Sequence, residues 1–480
     1  MSYPAIALPT LSLSDDERAL ITELQNRLSK FSPSNRLKLA YYEGEQRVRQ
    51  LGISIPPKLQ QINIVIGWAG TAVDVIEERL DWFGWRGDEV FGLDEVYSRN
   101  ELDVESGLAH LDALIYGTSF AIVGKGFEGE ADPLITVHSP VSTTGIWDAY
   151  RRRLSSALSV TTDDSGEIVA VSLYLPDKTL HLAPSGGGQW SIEDRDDHRL
   201  GRVPVVQFEN RARTGVRGRS EISQAVRSYT DQGVRTMLGM EINREFYSAP
   251  QRYAINVAED AFEAADGTVR TGWETIMGRV WAVPYDEDNP DRPTPQVGQF
   301  NPTSPAPYLE QVRGLSQMLA AEAAIPANYL GFQTDNPASA DAIRALEARL
   351  VKRSERRQGS FGRGWREVGR LALLVRDGVV PDEFEKEVHV SWRDAATPTR
   401  AAAADETTKL VGGGILPADS QVTYDRLGFT PSEQRQLVAD KRRGGLQALI
   451  AKLPTAQGVQ DPVVQQQAEQ NVPVTDGDTE

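Results

Sequence analysis

The stretch "GRSEISQAVRSYTDQGVRTMLGMEINREFYSAPQR", residues 218–252, decides how the rest of the chain is read. Ser220 can cap a helix and Glu221 suits its first turn, where the helix dipole favours an acid. Ile222, Val226, Tyr229, Met237 and Met240 fall on one helical stripe, and Val234, Leu238, Ile242 and Phe246 on a neighbouring one. The periodicity predicts a rod of roughly 29 residues, about 44 Å long, ended by Pro250. Such a rod exceeds the usual three or four turns and needs a partner along its flank.

Downstream, "SPAPYLEQVRGLSQMLAAEAAIP" (304–326) supplies one, a second helix stopped at Pro326. Residues 249–303 between the two are rich in β-branched and turn residues, including "RYAINV" and "GRVWAVPY". The order is helix out, excursion, helix back.

Outward from this core the chain changes character. "LSDDERALITELQNRLSKF" predicts a helix capped at Ser14, followed by "LAYYEGEQRV" and a break at Pro56-Pro57. Ile62, Val65, Ile66, Ala69, Val73, Ile76 and Leu80 then recur at helical spacing, and a third helix ends at Gly117. From 119 to 208, short runs such as "SFAIVG", "SALSVTT", "IVAVSLYL" and "VPVVQF" predict a small, mainly antiparallel β unit, with "DDSGE" and "SGGG" as turns. A polar segment follows Pro326. A long helix then starts near Ser339, with Gly359, Gly362 and Gly364 as points of interruption. "VHVSW" (388–392) alternates like a strand. Short helices occupy 396–453, and the last 27 residues hold six Gln and five acids without a base, the composition of a disordered tail.

Of 480 residues, 25% are charged and 40% hydrophobic, which fits a globular chain, and the segregated helical and strand segments make its class α+β. The formal charge of −17 disfavours tight gripping of duplex DNA, which calls for basic protein. Without cysteine there is no disulfide, thiolate site or thiol nucleophile. No run approaches the length of a membrane span, and the first residues lack the pattern of a secretory signal, so the expectation is a soluble protein made in the cytoplasm.

Chemistry is sparse. "DDSGE" (163–167) and "EDRDDH" (193–198) read as solvated turns; the alternative is a metal-dependent hydrolase built on Asp194, Asp196, Asp197 and His198. "GVRGRS" lacks the Walker Lys-Ser/Thr pair, so its glycines serve to turn the chain into a helix. The five histidines show no metal or triad spacing. The expectation is a protein that is not an enzyme and needs no cofactor. Against the acidic background, residues 344–376 carry ten Lys/Arg and three Glu. Arg349, Lys352, Arg353, Arg356 and Arg357 are candidates for contacts with neighbouring subunits or with a phosphate backbone.

"LAYYEGEQRV", "VPVVQFENR" followed by "GRSEISQAV", the helix ending "FYSAPQR", and "IPANYLGFQTDNPASADAIRALEARL" occur in an order that resembles portal proteins of tailed bacteriophages, of the siphophage type found in phages of actinobacteria. The resemblance covers roughly residues 10–450. It implies a portal fold assembled as a ring, usually of twelve subunits, at one capsid vertex, made in the host cytoplasm and resident in the virion. Residues 1–210 would be the wing, 211–248 the first stem helix, 249–303 the clip and 304–326 the second stem helix. Residues 327–340 would be the tunnel loop, 341–395 a basic helix and strand returning to the wing, 396–453 the crown and 454–480 a disordered tail. Gln333, Thr334, Asn336 and Ser339 would face double-stranded DNA in the tunnel without reading its sequence. The implied partners are the terminase large subunit, the head–tail adaptor, and the major capsid and scaffolding proteins, with no membrane. A head–tail adaptor or tail ring protein is the second structural reading; smaller adaptors lack the length for the stem–clip–stem order.

Overall fold

The computed structural model describes residues 13–47, 63–186, 189–248, 252–256, 293–294, 296–299, 301, 304–331 and 340–452. It divides into two compact units at Thr397/Pro398.

The first unit opens with α1 (Asp15–Tyr42). Glu17 and Ser14 form a reciprocal capping box: the Ser14 N–H donates to Glu17 Oε2 at 2.8 Å and the Glu17 N–H to Ser14 Oγ at 3.2 Å. The helix continues through Pro33, whose nitrogen has no hydrogen to give Ser29, so the two helical segments expected here are one. Ile21, Leu24 and Leu28, one face of α1, pack on a five-stranded antiparallel sheet of order β4-β5-β6-β7-β8. Its strands are β4 (Thr143–Asp148), β5 (Arg153–Thr162), β6 (Ile168–Tyr174), β7 (Thr179–Gly186) and β8 (Gln189–Asp196). Glu17 also pins α1 to this sheet through Lys178 at 2.6 Å.

"DDSGE" is the turn expected: Asp163 Oδ1 accepts from the Ser165 and Glu167 N–H groups at 3.0 and 2.9 Å. "EDRDDH" is not a turn. Glu193–Asp196 belong to the edge strand β8, because backbone pairing to β7 outweighs the poor strand propensity of the acids.

A second antiparallel sheet, β3-β2-β9, joins β2 (Thr118–Gly124), β3 (Leu134–His138) and β9 (Val205–Glu209). It packs in the main core with α2 (Trp68–Glu77), α3 (Leu93–Arg99) and α4 (Leu102–Tyr116). The helical pattern expected from Ile62 to Leu80 is helix only in α2; Ala69, Val73 and Ile76 are fully buried while Val65 is exposed. Gly117 ends α4 with φ of 103°, as its sequence position suggested.

The same core takes in α5 (Gln224–Ser248), α6 (Ala306–Ala323) and α7 (Ala340–Asp377). The rod α5 begins four residues later than Ser220 and has 25 residues, about 37 Å. Gly233 and Gly239 let neighbours close on it: a Cβ would stand 2.8 Å from the Trp68 ring and 3.1 Å from the Tyr308 ring. Beyond α5, β10 (Arg252–Ile255) pairs antiparallel with β11 (Gln296–Gln299), so the chain leaves along α5 and returns along α6.

The long helix α7 is not interrupted at Gly359, Gly362 or Gly364. Gly362 and Gly364 are contact points rather than breaks. A Cβ at Gly364 would lie 2.6 Å from the Phe208 ring, and one at Gly369 2.7 Å from Trp85 Nε1. Trp365 stacks on Trp82 at 4.2 Å and its carbonyl accepts from Trp85 Nε1 at 2.9 Å. The short α8 (Phe384–Glu387) then leads to β12 (His389–Trp392), which pairs antiparallel with β1 (Trp82–Arg86).

The second unit holds α9 (Arg400–Gly412), α10 (Gln421–Arg426) and α11 (Pro431–Lys452). Thr399 and Ser420 cap the first two, and Thr430 and Glu433 exchange hydrogen bonds ahead of α11. Residues 454–480 lie outside the described residues.

Candidate functional site

Where α5 is launched, one buried carboxylate meets three guanidiniums. Glu221, expected on the first turn of the rod, instead precedes it and is 2% exposed. Its Oε1 accepts from Arg357 Nη2 at 2.5 Å, Arg357 Nε at 3.1 Å and Asn210 Nδ2 at 3.1 Å. Its Oε2 accepts from Arg211 at 3.3 Å and from Arg353. Burial alone would raise the carboxyl, but Arg353, Arg357 and Arg211 outweigh it and hold Glu221 below the ordinary carboxylate range. Burial lowers Arg353 by more than Glu221 restores; a guanidinium starts so high that it stays charged at neutral pH.

Backbone geometry fixes the same joint. The Glu221 N–H donates to the Leu114 carbonyl at 2.9 Å, and Ser220 Oγ donates to the Ile115 carbonyl at 2.5 Å. Gly218 has φ of 84°, and a Cβ there would meet the Gly117 carbonyl oxygen at 2.1 Å. The glycine-rich entry thus docks on the end of α4, while Arg353 and Arg357 clamp it from α7.

Of the basic-helix candidates, Arg353 and Arg357 turn into the subunit, and Arg353 also donates to the Ala323 carbonyl at the end of α6. Lys352 is exposed and pairs with Glu355 at 2.6 Å. Arg349 and Arg356 are exposed, with no ion pair to another described residue. Gln333, Thr334, Asn336 and Ser339 lie outside the described residues. The chain on either side of them is anchored: Tyr329 Oη donates to Glu347 Oε1 of α7 at 2.5 Å, and Arg79 reaches Glu347 at 3.5 Å.

The metal reading gains no geometry. No three carboxylate or imidazole groups converge among the described residues. His198 is engaged by Thr179 Oγ1 at 3.2 Å and by the Leu200 N–H at 3.3 Å. His110, fully buried, accepts from Trp365 Nε1 at 2.8 Å and stacks on Phe361; burial lowers its pKa to about 3, so it is neutral. No helix among the described residues is long and apolar enough to cross a membrane.

Comparison with known proteins decides the family. The family model "Phage portal protein, SPP1 Gp6-like" matches residues 23–423. The chain belongs to this family. The portal protein of Mycobacterium phage L5 is 31% identical over 447 residues, covering 90% of this chain and 89% of that one. The portal protein of Mycobacterium phage D29 is 31% identical over 427 residues, covering 85% and 86%. A chain from the virion of a native gene transfer agent particle superposes over 76% of this chain and 90% of its own at 15% identity, with a TM-score of 0.40, too loose to match part to part.

Proposed function

We propose that this portal chain closes with copies of itself into a ring, of twelve subunits by family resemblance, and that packaged DNA enters and leaves through its centre. The observation that carries the proposal is the out-and-back pair of α5 and α6. On α6, Val312, Leu315, Leu319, Ala320 and Ala323 are buried in the first unit, whereas Leu309 and Met318 stay half exposed on the remaining surface. A rod pair with apolar residues left on its outer surface suits a stave that meets the next stave, and a single repeated heterologous contact closes such a ring. The excess negative charge lets a duplex slide rather than stick.

In this scheme 249–303 is the clip that docks the terminase large subunit and later the head–tail adaptor. Residues 1–210 form the wing that meets capsid and scaffolding proteins and starts procapsid assembly at one vertex, and 396–453 form the crown. Gln333, Thr334, Asn336 and Ser339 touch DNA through polar, uncharged groups; exposed Arg349, Lys352 and Arg356 meet neighbouring subunits or phosphates. The chain hydrolyses no nucleotide itself; the motor it docks does that work.

Negative-stain imaging of the purified chain tests the ring: particles with a central hole and countable symmetry are expected, and a compact monomer would overturn the proposal. Gln333→Lys and Asn336→Glu in assembled particles test the loop. DNA retention should change in opposite directions, and unchanged packaging and retention in both would remove these residues from the channel.

A further inference from the structure

The five-stranded sheet carries opposite charges at its two edges. At the β4 edge, the β4–β5 turn brings Arg151, Arg152 and Arg153 beside Arg202 and beside Arg363 and Arg370 of α7, around an open cleft of about 200 Å³. Six guanidiniums there face two carboxylates, Glu209 and Glu367. Both carboxylates are already engaged. Arg217 Nε donates to Glu209 at 2.6 Å with Arg363 at 3.5 Å, and Arg202 holds Glu367 at 2.6 Å. Arg152 and Arg153 make no ion pair with another described residue. Arg151 lies 3.8 Å from Asp148, and Arg370 pairs with Glu385 and lies 3.8 Å from Glu367, so Arg152 and Arg153 are the uncompensated cations of the cleft among the described residues. Burial and then the neighbouring Arg202 depress Arg153, with Glu367 and Asp148 acting against them.

At the opposite edge, Glu193, Asp194 and Asp196 of β8 and the following Asp197 are exposed, none of them ion-paired to another described residue. The register of β8 slips by one between its pairings Asp194↔His181 and Ile192↔Leu182. This bulge turns Arg195 toward Glu17, 3.7 Å away, and sends Asp194 and Asp196 to the face opposite α1. Among the described residues, the outer side of β8 pairs with no other strand. Four strand spacings, about 19 Å, separate this acidic edge from the β4 edge.

We propose that the arginine cleft receives the acidic β8 edge of the next copy of the chain, a contact that sets the direction and register of the ring. The inference rests on the ring reading above. A head-to-tail contact places different surfaces of one protein against each other, so opposite charges on opposite edges attract at every joint. The alternative back-to-back contact would set arginine against arginine. A second copy also supplies carboxylates at equal stoichiometry, whereas a duplex would have to approach a chain of net charge −17.

The test uses the full chain, with ring fraction read by sedimentation and negative stain across a salt series. Wild type should form rings that weaken as salt rises. R151E/R152E and D194K/D196K should each lower the ring fraction at low salt by about tenfold, and the four-site charge swap should restore it. A misfolded variant would not be rescued by changes on the far edge, so recovery supports the contact. If both reversals assemble like wild type at every salt concentration, the inference falls while the ring stands. If R151E/R152E assembles normally but its rings lose bound duplex DNA, the cleft is a phosphate site and the inference is overturned. If wild type gives no ring, the ring reading itself is what has failed.

Discussion

Two arginine clusters sit on the same helix and behave as opposites. Near the start of α7, Arg353 and Arg357 converge with Arg211 on one buried carboxylate, Glu221. Two turns later, Arg363 and Arg370 are each ion-paired, to Glu209 and to Glu385, but they line a cleft they share with Arg152 and Arg153, which have no ion pair to another described residue. The first cluster is interior and fully hydrogen-bonded, so it fixes how α5 leaves the body. The second opens to solvent, where Arg152 and Arg153 have no ion pair to another described residue. Local sequence is equally basic in both places, and each holds a buried acid, Glu221 or Glu209; the difference is that the open cleft gathers further arginines beyond those its acids engage.

The largest test of this contrast is Glu221→Ala. Breaking a buried pair leaves uncompensated charge and costs about 3–5 kcal/mol, which should appear as a lowered denaturation midpoint of the first unit. Arg357→Ala should fall in the same range. Because Glu221 is held below its ordinary value, its contribution is present above the ordinary carboxylate range and is lost as pH falls through the depressed value. A variant with Gln at 221 should lack that acid-side loss.

His110 gives an internal control, since its shift comes from burial alone. Its folded pKa is about 3 against an ordinary 6.5, so the unfolded chain binds a proton that the fold refuses between those values. Stability should therefore fall as pH drops below about 6.5 and level off near 3. His110→Gln should remove that slope in pH-dependent unfolding curves.

Glycines on the same helix offer a smaller, two-signed test. Gly364→Ala should cost about 1–3 kcal/mol by pressing on Phe208. Gly359→Ala meets nothing within 4 Å and should stabilise by about 0.5–1 kcal/mol. Thermal melts of the two variants should move in opposite directions. Smallest of all, Arg356→Ala should change stability by less than about 0.5 kcal/mol; a loss as large as that of Arg357→Ala would mean that Arg356, too, has an interior partner.

Much of this architecture was readable from local rules. The Ser14 cap, the Asp163 turn, the Gly117 stop, the return helix after the insert and the 388–392 strand each depend on a few adjacent residues, and those residues specify them. The order of those segments was enough to suggest the portal family. Other features were misread because the deciding partner is far along the chain. Glu221 looked like a first-turn acid until Arg353 and Arg357, more than 130 positions away, closed on it. Gly362 and Gly364 read locally as breaks because their partners, Trp392 and Phe208, are distant in sequence, and "EDRDDH" reads as a turn because its pairing to β7 is not local.

The sequence by itself determined the helices, turns, strands and net charge of this protein, since propensity, capping and periodicity act within a few residues. Only the tertiary structure decided which arginines are neutralised and which face outward. That choice depends on the desolvation of particular carboxylates, and desolvation exists only once distant segments have packed together.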